Sequence, residues 1–147
     1  MAGSALCRSL IRKGYGDTHK CGKLLVPTRN ELDLLNFSDV IHWFDNNRPE
    51  IVIIAAAKVG GIYANSKYPT EFILENLKIQ NNLIEASWKF DVKRLVFLGS
   101  SCIYPKHSNQ PIKEEYLLKG GLESTNEPYA IAKIAGIKLC QYLRQQY

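Results

Sequence analysis

Tyr129 and Lys133 stand four residues apart in Tyr-Ala-Ile-Ala-Lys, and Ser100 and Cys102 lie about thirty residues before them in Ser-Ser-Cys. On a helix, residues at i and i+4 share a face. An ammonium beside a phenol favours phenolate, so this spacing predicts a Tyr129 pKa lowered toward neutrality. A strand-end serine hydroxyl can share the same substrate oxygen. Ser, Tyr and Lys in that order suit carbonyl reduction or alcohol oxidation with a nicotinamide as hydride source. The same Tyr-x-x-x-Lys spacing also decorates solvated helix faces, so the flanking sequence must decide. An apolar stretch, Arg94 to Leu98, ends directly at Gly99 and Ser100. Thr125, Asn126 and Pro128 supply a turn and a helix start just before Tyr129. Together these favour catalysis.

The elements that must position these groups follow from periodicity. A helix is predicted from Ala2 to about Lys13, with Ala2, Ala5, Leu6 and Leu10 on its inner side. A short strand follows from Lys23 to Val26. Asn36 or Ser38 caps a helix to about Asn47, with Val40, Trp43 and Phe44 inward. Ile51 to Ala57 is an all-apolar strand, as expected for a parallel sheet buried on both faces. A loop at 58–69 carries Gly60 and Gly61. A long helix runs from about Thr70 to Phe90, with Phe72, Ile73, Leu77, Leu83, Ile84 and Trp88 inward. The strand 94–98, a long loop to Pro128 and a final helix from Tyr129 complete the order. Such alternation predicts one α/β domain over 1–147, a doubly wound, Rossmann-like parallel sheet with helices on both faces.

Composition narrows the classes. The chain has 147 residues and a formal charge of +5, with Lys and Arg scattered rather than clustered. That argues weakly for nucleic acid and equally well for a phosphate-bearing small ligand. No apolar run reaches the roughly 20 residues that span a bilayer. No signal peptide is evident in the first residues, and the expected location is cytoplasmic. Cys7, Cys21, Cys102 and Cys140 lack metal-ligand spacing, so no metal site is expected and all four read as free thiols. His19, His42 and His107 receive no role.

Several residues could meet a dinucleotide. Arg29 follows the predicted strand 23–26, where an arginine accommodates a 2′-phosphate and so favours NADP; a solvated loop arginine is the alternative. Ala55, Ala56 and Ala57 at a strand's carboxyl end allow close approach of a ligand, although small residues also simply pack. Lys58, Gly60 and Gly61 lie at the same edge. Cys102 could face the pocket of Ser100 or be an inert buried thiol. The strand and glycine-rich turn that should open a nucleotide-binding βαβ unit are not seen; only Gly3, as a last glycine, fits.

The runs Ala55-Ala-Ala-Lys-Val-Gly-Gly-Ile62, Leu98-Gly-Ser-Ser-Cys-Ile-Tyr-Pro-Lys106 and Thr125 to Cys140 closely resemble the GDP-L-fucose synthase family, a branch of the extended short-chain dehydrogenase/reductases. The resemblance spans essentially the whole chain. It implies NADPH-dependent 3,5-epimerisation and 4-reduction of GDP-4-keto-6-deoxy-D-mannose. It implies that Tyr129 protonates the C4 oxygen, that Lys133 tunes Tyr129 and holds the nicotinamide ribose, and that Ser100 binds the carbonyl. Cys102 resembles the acid/base that exchanges protons beside the ketone. Leu98, Gly99 and Ser101 match positions lining the cofactor, Gly3 the end of the phosphate loop, and Arg29 the 2′-phosphate arginine. A homodimer through the two long helices is implied for the full-length form.

Family members are a little over twice this length, so the first strand, a second acid/base histidine and the C-terminal sugar-nucleotide lobe lack counterparts here. Without a central first strand, the expectation is a gap of roughly 10 Å with strands 23–26 and 51–57 on one side and 94–98 on the other. The isolated chain is then expected to be marginally folded and inactive. The alternatives are another nucleotide-sugar epimerase or dehydratase of this superfamily, or a non-catalytic truncated relic.

Overall fold

The computed structural model describes residues 1–17, 19 and 22–147, so the expectation for Cys21 lies outside the described residues. Among the described residues, five α-helices and two strands are arranged in the order α1 (Ala2–Arg12), α2 (Phe37–Asn47), β1 (Ile51–Ile54), α3 (Ile62–Lys67), α4 (Pro69–Lys89), β2 (Arg94–Phe97) and α5 (Glu127–Gln146). Two 3₁₀ turns, Ser101–Ile103 and Glu114–Tyr116, interrupt the long loop before α5. The helix starts follow local chemistry. The Asn36 side chain accepts the Ser38 N–H at the head of α2. Prolines occupy the first turns of α4 and α5, where a missing N–H costs nothing.

The sheet is α/β in kind: β1 and β2 pair in parallel, with Ile51 opposite Arg94 and Ile54 opposite Phe97. This corrects the expected gap, because strands 51–54 and 94–97 are direct neighbours. The error lay in placing 51–57 beside 23–26 in the strand order. Residues 23–28 run without helix or ladder. This corrects the expected strand at 23–26: a β-like pattern makes a strand only when another backbone accepts its hydrogen bonds. Ala55 to Ala57 likewise continue past the end of the ladder rather than within it.

Val52, Ile54, Leu95 and Phe97 lie against the helices, and Ile51, Ile53 and Val96 on the other parity are exposed. Val40 and Phe44 of α2, Ile54 of β1, Leu83, Ile84 and Ala86 of α4, and Leu32 form the core. Helix α5 packs along α4, burying Ala130, Ala132, Ile134 and Gly136. Helix α1 buries no residue, with Leu6 and Leu10 half-buried and Ala2 and Ala5 exposed, so its expected inner face finds no core.

On α4 the inward stripe is partly polar. Asn76, Gln80 and Ser87 are buried beside Phe72, Leu83 and Ile84, whereas Trp88 is 42% exposed, against expectation. Ser87 donates to the Leu83 carbonyl one turn back, whereas Gln80 and Asn76 reach acceptors outside α4. Asn76 donates to the Lys58 carbonyl (2.9 Å) and the Phe72 carbonyl (2.7 Å), and accepts the Lys58 N–H at 2.9 Å.

Candidate active site

The carboxyl end of β2 delivers Leu98, Gly99 and Ser100 to the head of α5. Helix α5 presents Tyr129 and, one turn later, Lys133. Lys133 is 4% exposed, and its Nζ donates to the Leu98 carbonyl at 2.9 Å. The same ammonium stands 5.8 Å from the centroid of the Tyr129 ring. Cys102, on the 3₁₀ turn just beyond Ser100, donates its S–H to Ser100 Oγ at 3.2 Å. Ser100 also stands close enough to Tyr129 to act on its phenol. Ser100, Cys102, Tyr129 and Lys133 therefore come together as one cluster at one strand end.

The electrostatics differ from the simple expectation. Burial pushes the Tyr129 phenol above its ordinary pKa, the nearby Cys102 adds to the rise, and the Ser100 hydroxyl opposes it. Burial also lowers the Lys133 ammonium, with Cys102 pulling the other way. Desolvation sets the direction, and the lysine, itself taken out of water and turned to the Leu98 carbonyl, does not offset it. The predicted downward shift of Tyr129 is thus corrected. In this state Tyr129 is a protonated donor at neutral pH.

The other predicted positions fall into two groups. Gly3, at the start of α1, approaches Ala55 so closely that a Cβ on it would lie 3.6 Å from the Ala55 Cβ. This brings an N-terminal and a strand-end position to one place. Ala56 is exposed, and Ala57 is half-buried. Gly99 packs near Ile137, whose Cδ1 would be 3.7 Å from an added Cβ, and Ser101 is exposed on the 3₁₀ turn. Arg29 is exposed on the loop after 23–28. Among the described residues it makes no hydrogen bond or ion pair. Its acidic neighbour Glu31 accepts both the N–H (2.7 Å) and the hydroxyl (2.8 Å) of Thr28, which holds its carboxyl below the usual value.

Two features escaped the sequence reading. Lys58 does not present a free cation at the sheet edge, since its Nζ pairs with Glu71 and Glu75 at 2.6 Å each. Asn76 clamps the backbone at Lys58 and so fixes the exit from Ala55 to Ala57. The available signal was the spacing of Phe72, Asn76, Gln80, Leu83 and Ser87, which places these polar residues on the apolar stripe rather than opposite it.

This arrangement has counterparts. The chain is 52% identical over 147 residues to GDP-L-fucose synthase of Escherichia coli and, at the same identity and span, to GDP-L-fucose synthase 1 of Arabidopsis thaliana. All of this chain is covered in both cases, and 44% of each relative. It therefore spans less than half the length of the curated relatives it matches. A GDP-mannoheptose C4 reductase from Campylobacter jejuni, solved with NADP bound, superposes with a TM-score of 0.91 at 41% identity, over 99% of this chain and 41% of that one. No helix among the described residues is long and apolar enough to cross a membrane. The NAD dependent epimerase/dehydratase family matches residues 1–147 throughout, and this chain belongs to it.

Proposed function

We propose that this chain carries the proton-transfer centre and part of the cofactor site of a GDP-L-fucose synthase. The reaction is NADPH-dependent 3,5-epimerisation and 4-reduction of GDP-4-keto-6-deoxy-D-mannose. The observation that carries this reading is the convergence of Ser100, Cys102, Tyr129 and Lys133 at the end of β2.

The residues present suit NADP(H). Arg29 is an exposed guanidinium with no competing partner among the described residues, and Gly3 and Ala55 leave room where a backbone must approach a ligand. Leu98, Gly99, Ser101, Ala56 and Ala57 would line the rest of its bed, and Lys133 would reach the nicotinamide ribose. When bound, NADPH supplies the hydride for C4. Tyr129, kept protonated by burial, donates its proton to the C4 oxygen as that oxygen gains charge. Ser100 holds the same oxygen. The ketone acidifies the adjacent C–H bonds, and Cys102 is the acid/base that exchanges protons on one face there; inversion of the flanking centres also needs a second acid/base that reprotonates the enolate from the opposite face. The GDP-sugar is the partner of this site, and the outer faces of α4 and α5, with Trp88, Ile131 and Tyr142 exposed, form the homodimer contact.

The test follows NADPH absorbance and product stereochemistry in the whole protein. Cys102→Ser should stop deuterium uptake from solvent beside the keto group while leaving C4 reduction of a pre-epimerised substrate. The similarity to a C4 reductase favours one second reading, reduction without epimerisation. NADPH consumption with no solvent deuterium in the wild-type product would select that reading.

A further inference from the structure

A buried ammonium needs something in place of its water. Lys133 has two such replacements beyond any ligand, and both come from consecutive residues of β2 and its exit. The Leu98 carbonyl accepts from Nζ at 2.9 Å, and the Phe97 ring centroid lies 4.6 Å from Nζ. That distance is within the range where an aromatic face attracts a cation, and the attraction is strongest when both are dry.

The ring is itself held. Gly136 lies three residues beyond Lys133 on α5. A Cβ there would stand 2.7 Å from Phe97 Cζ, 2.8 Å from its Cε1 and 2.9 Å from Gln80 Cδ. Nothing larger than glycine fits without displacing the ring. Gln80, 2% exposed on α4, donates its Nε2 to the Ala132 carbonyl at 2.6 Å. That carbonyl belongs to the peptide that continues into Lys133. A strand, a glycine and a buried amide thus interlock around one turn of α5.

We infer that Phe97, Gly136 and Gln80 are positioning residues that seat the Lys133 ammonium for the reaction. The inference rests on the reductase reading above. Beyond the Leu98 carbonyl, the titratable groups facing Lys133 are the Tyr129 phenol on α5 and the Cys102 thiol on the 3₁₀ turn. Gln80, from α4, is neutral.

The test uses the whole protein and four forms: wild type, Phe97→Leu, Gly136→Ala and the double variant. Leucine keeps the site apolar but removes the aromatic face, so kcat should fall roughly tenfold. KM for the sugar nucleotide should hold within about twofold, since no substrate contact is lost. Gly136→Ala displaces the ring and should cost a similar factor. The double variant should be no worse than the poorer single variant, because the shorter leucine clears the added methyl. A helix-only role for Gly136 would instead make alanine neutral or stabilising.

A second readout needs no turnover. The Lys133 NH₃⁺ resonance in ¹⁵N spectra should be protected in the wild type and shifted or lost in both single variants. A wild type that never oxidises NADPH with any 4-keto nucleotide would sink the functional reading, and the resonance would still decide the seat. Unchanged kcat with an unchanged resonance in both single variants overturns the inference. Multiplicative losses in the double variant do the same.

Discussion

Residues 51–147 and residues 1–30 carry the proposed site residues on different terms. In the first region, Tyr129 and Lys133 ride on a helix packed along α4, and α4 contributes Leu83, Ile84 and Ala86 to the core. In the second, α1 buries nothing, residues 23–28 have no ladder, and Arg29 depends on a local turn tied by Thr28 and Glu31. The groups proposed to move protons are held by tertiary packing. The groups assigned to the far end of the cofactor are held by short-range bonds. Chemistry and affinity should therefore fail separately.

The largest expected effect tests that separation. Tyr129→Phe removes the proton donor and should lower kcat by about a hundredfold or more, with little change in thermal midpoint. Arg29→Ala should instead raise KM for NADPH at nearly constant kcat and narrow the preference for NADPH over NADH. Steady-state kinetics with both cofactors separates the two outcomes. A fall in kcat for Arg29→Ala would break the comparison.

Stability gives the next contrast. Ile84 is fully buried, and truncation to alanine should cost about 2–5 kcal/mol in urea unfolding. Leu6→Ala in α1 should cost less than about 1 kcal/mol, because little surface is lost there. Equal losses would mean that α1 belongs to the core after all. Between them, Asn36→Ala should cost about 1 kcal/mol through loss of the α2 cap.

Much of the packed region was legible because its signals are local. The Asn36 cap, Pro128 before Tyr129 and the stripe through Phe72, Leu83 and Ile84 mark three helices within a residue or two. Trp88 misled because Ala86 and Ser87 form the buried face of the last turn, which leaves Trp88 to the side of it. Segment 23–26 misled for another reason: pairing depends on what lies beside the chain, and no local pattern reports a neighbour. The same holds for Gln80 and Asn76, whose acceptors, Ala132 and Lys58, lie far away in sequence. Tyr-x-x-x-Lys pointed to two side chains that the fold does bring together, but the sign of the tyrosine shift depended on burial, which spacing does not show.

The smallest expected effect concerns the loop that leads to the site. Lys106 pairs with Glu123 at 2.8 Å, and the Lys106 N–H donates to the Gly121 carbonyl at 2.9 Å. The Lys106 bond, then the Thr125 N–H, holds the Glu123 carboxyl below its ordinary value. Its folded pKa is depressed, so its stabilising contribution is present above the unfolded value and is lost as pH falls through the folded one. Amide exchange at Lys106, corrected for intrinsic rate, should accelerate modestly below about pH 4. Exchange at α4 amides should not change over that interval.

The central claim is that Tyr129, seated beside Lys133, gives its proton to a sugar carbonyl as hydride arrives. The most direct measurement is transfer of deuterium from [4-²H]NADPH to C4 of GDP-4-keto-6-deoxy-D-mannose by the whole protein, read by NMR of the product. Label at C4 in the wild type, and its near-abolition in Tyr129→Phe with NADPH binding intact, is the expected result. Label at another carbon, or equal transfer by both proteins, would contradict the account.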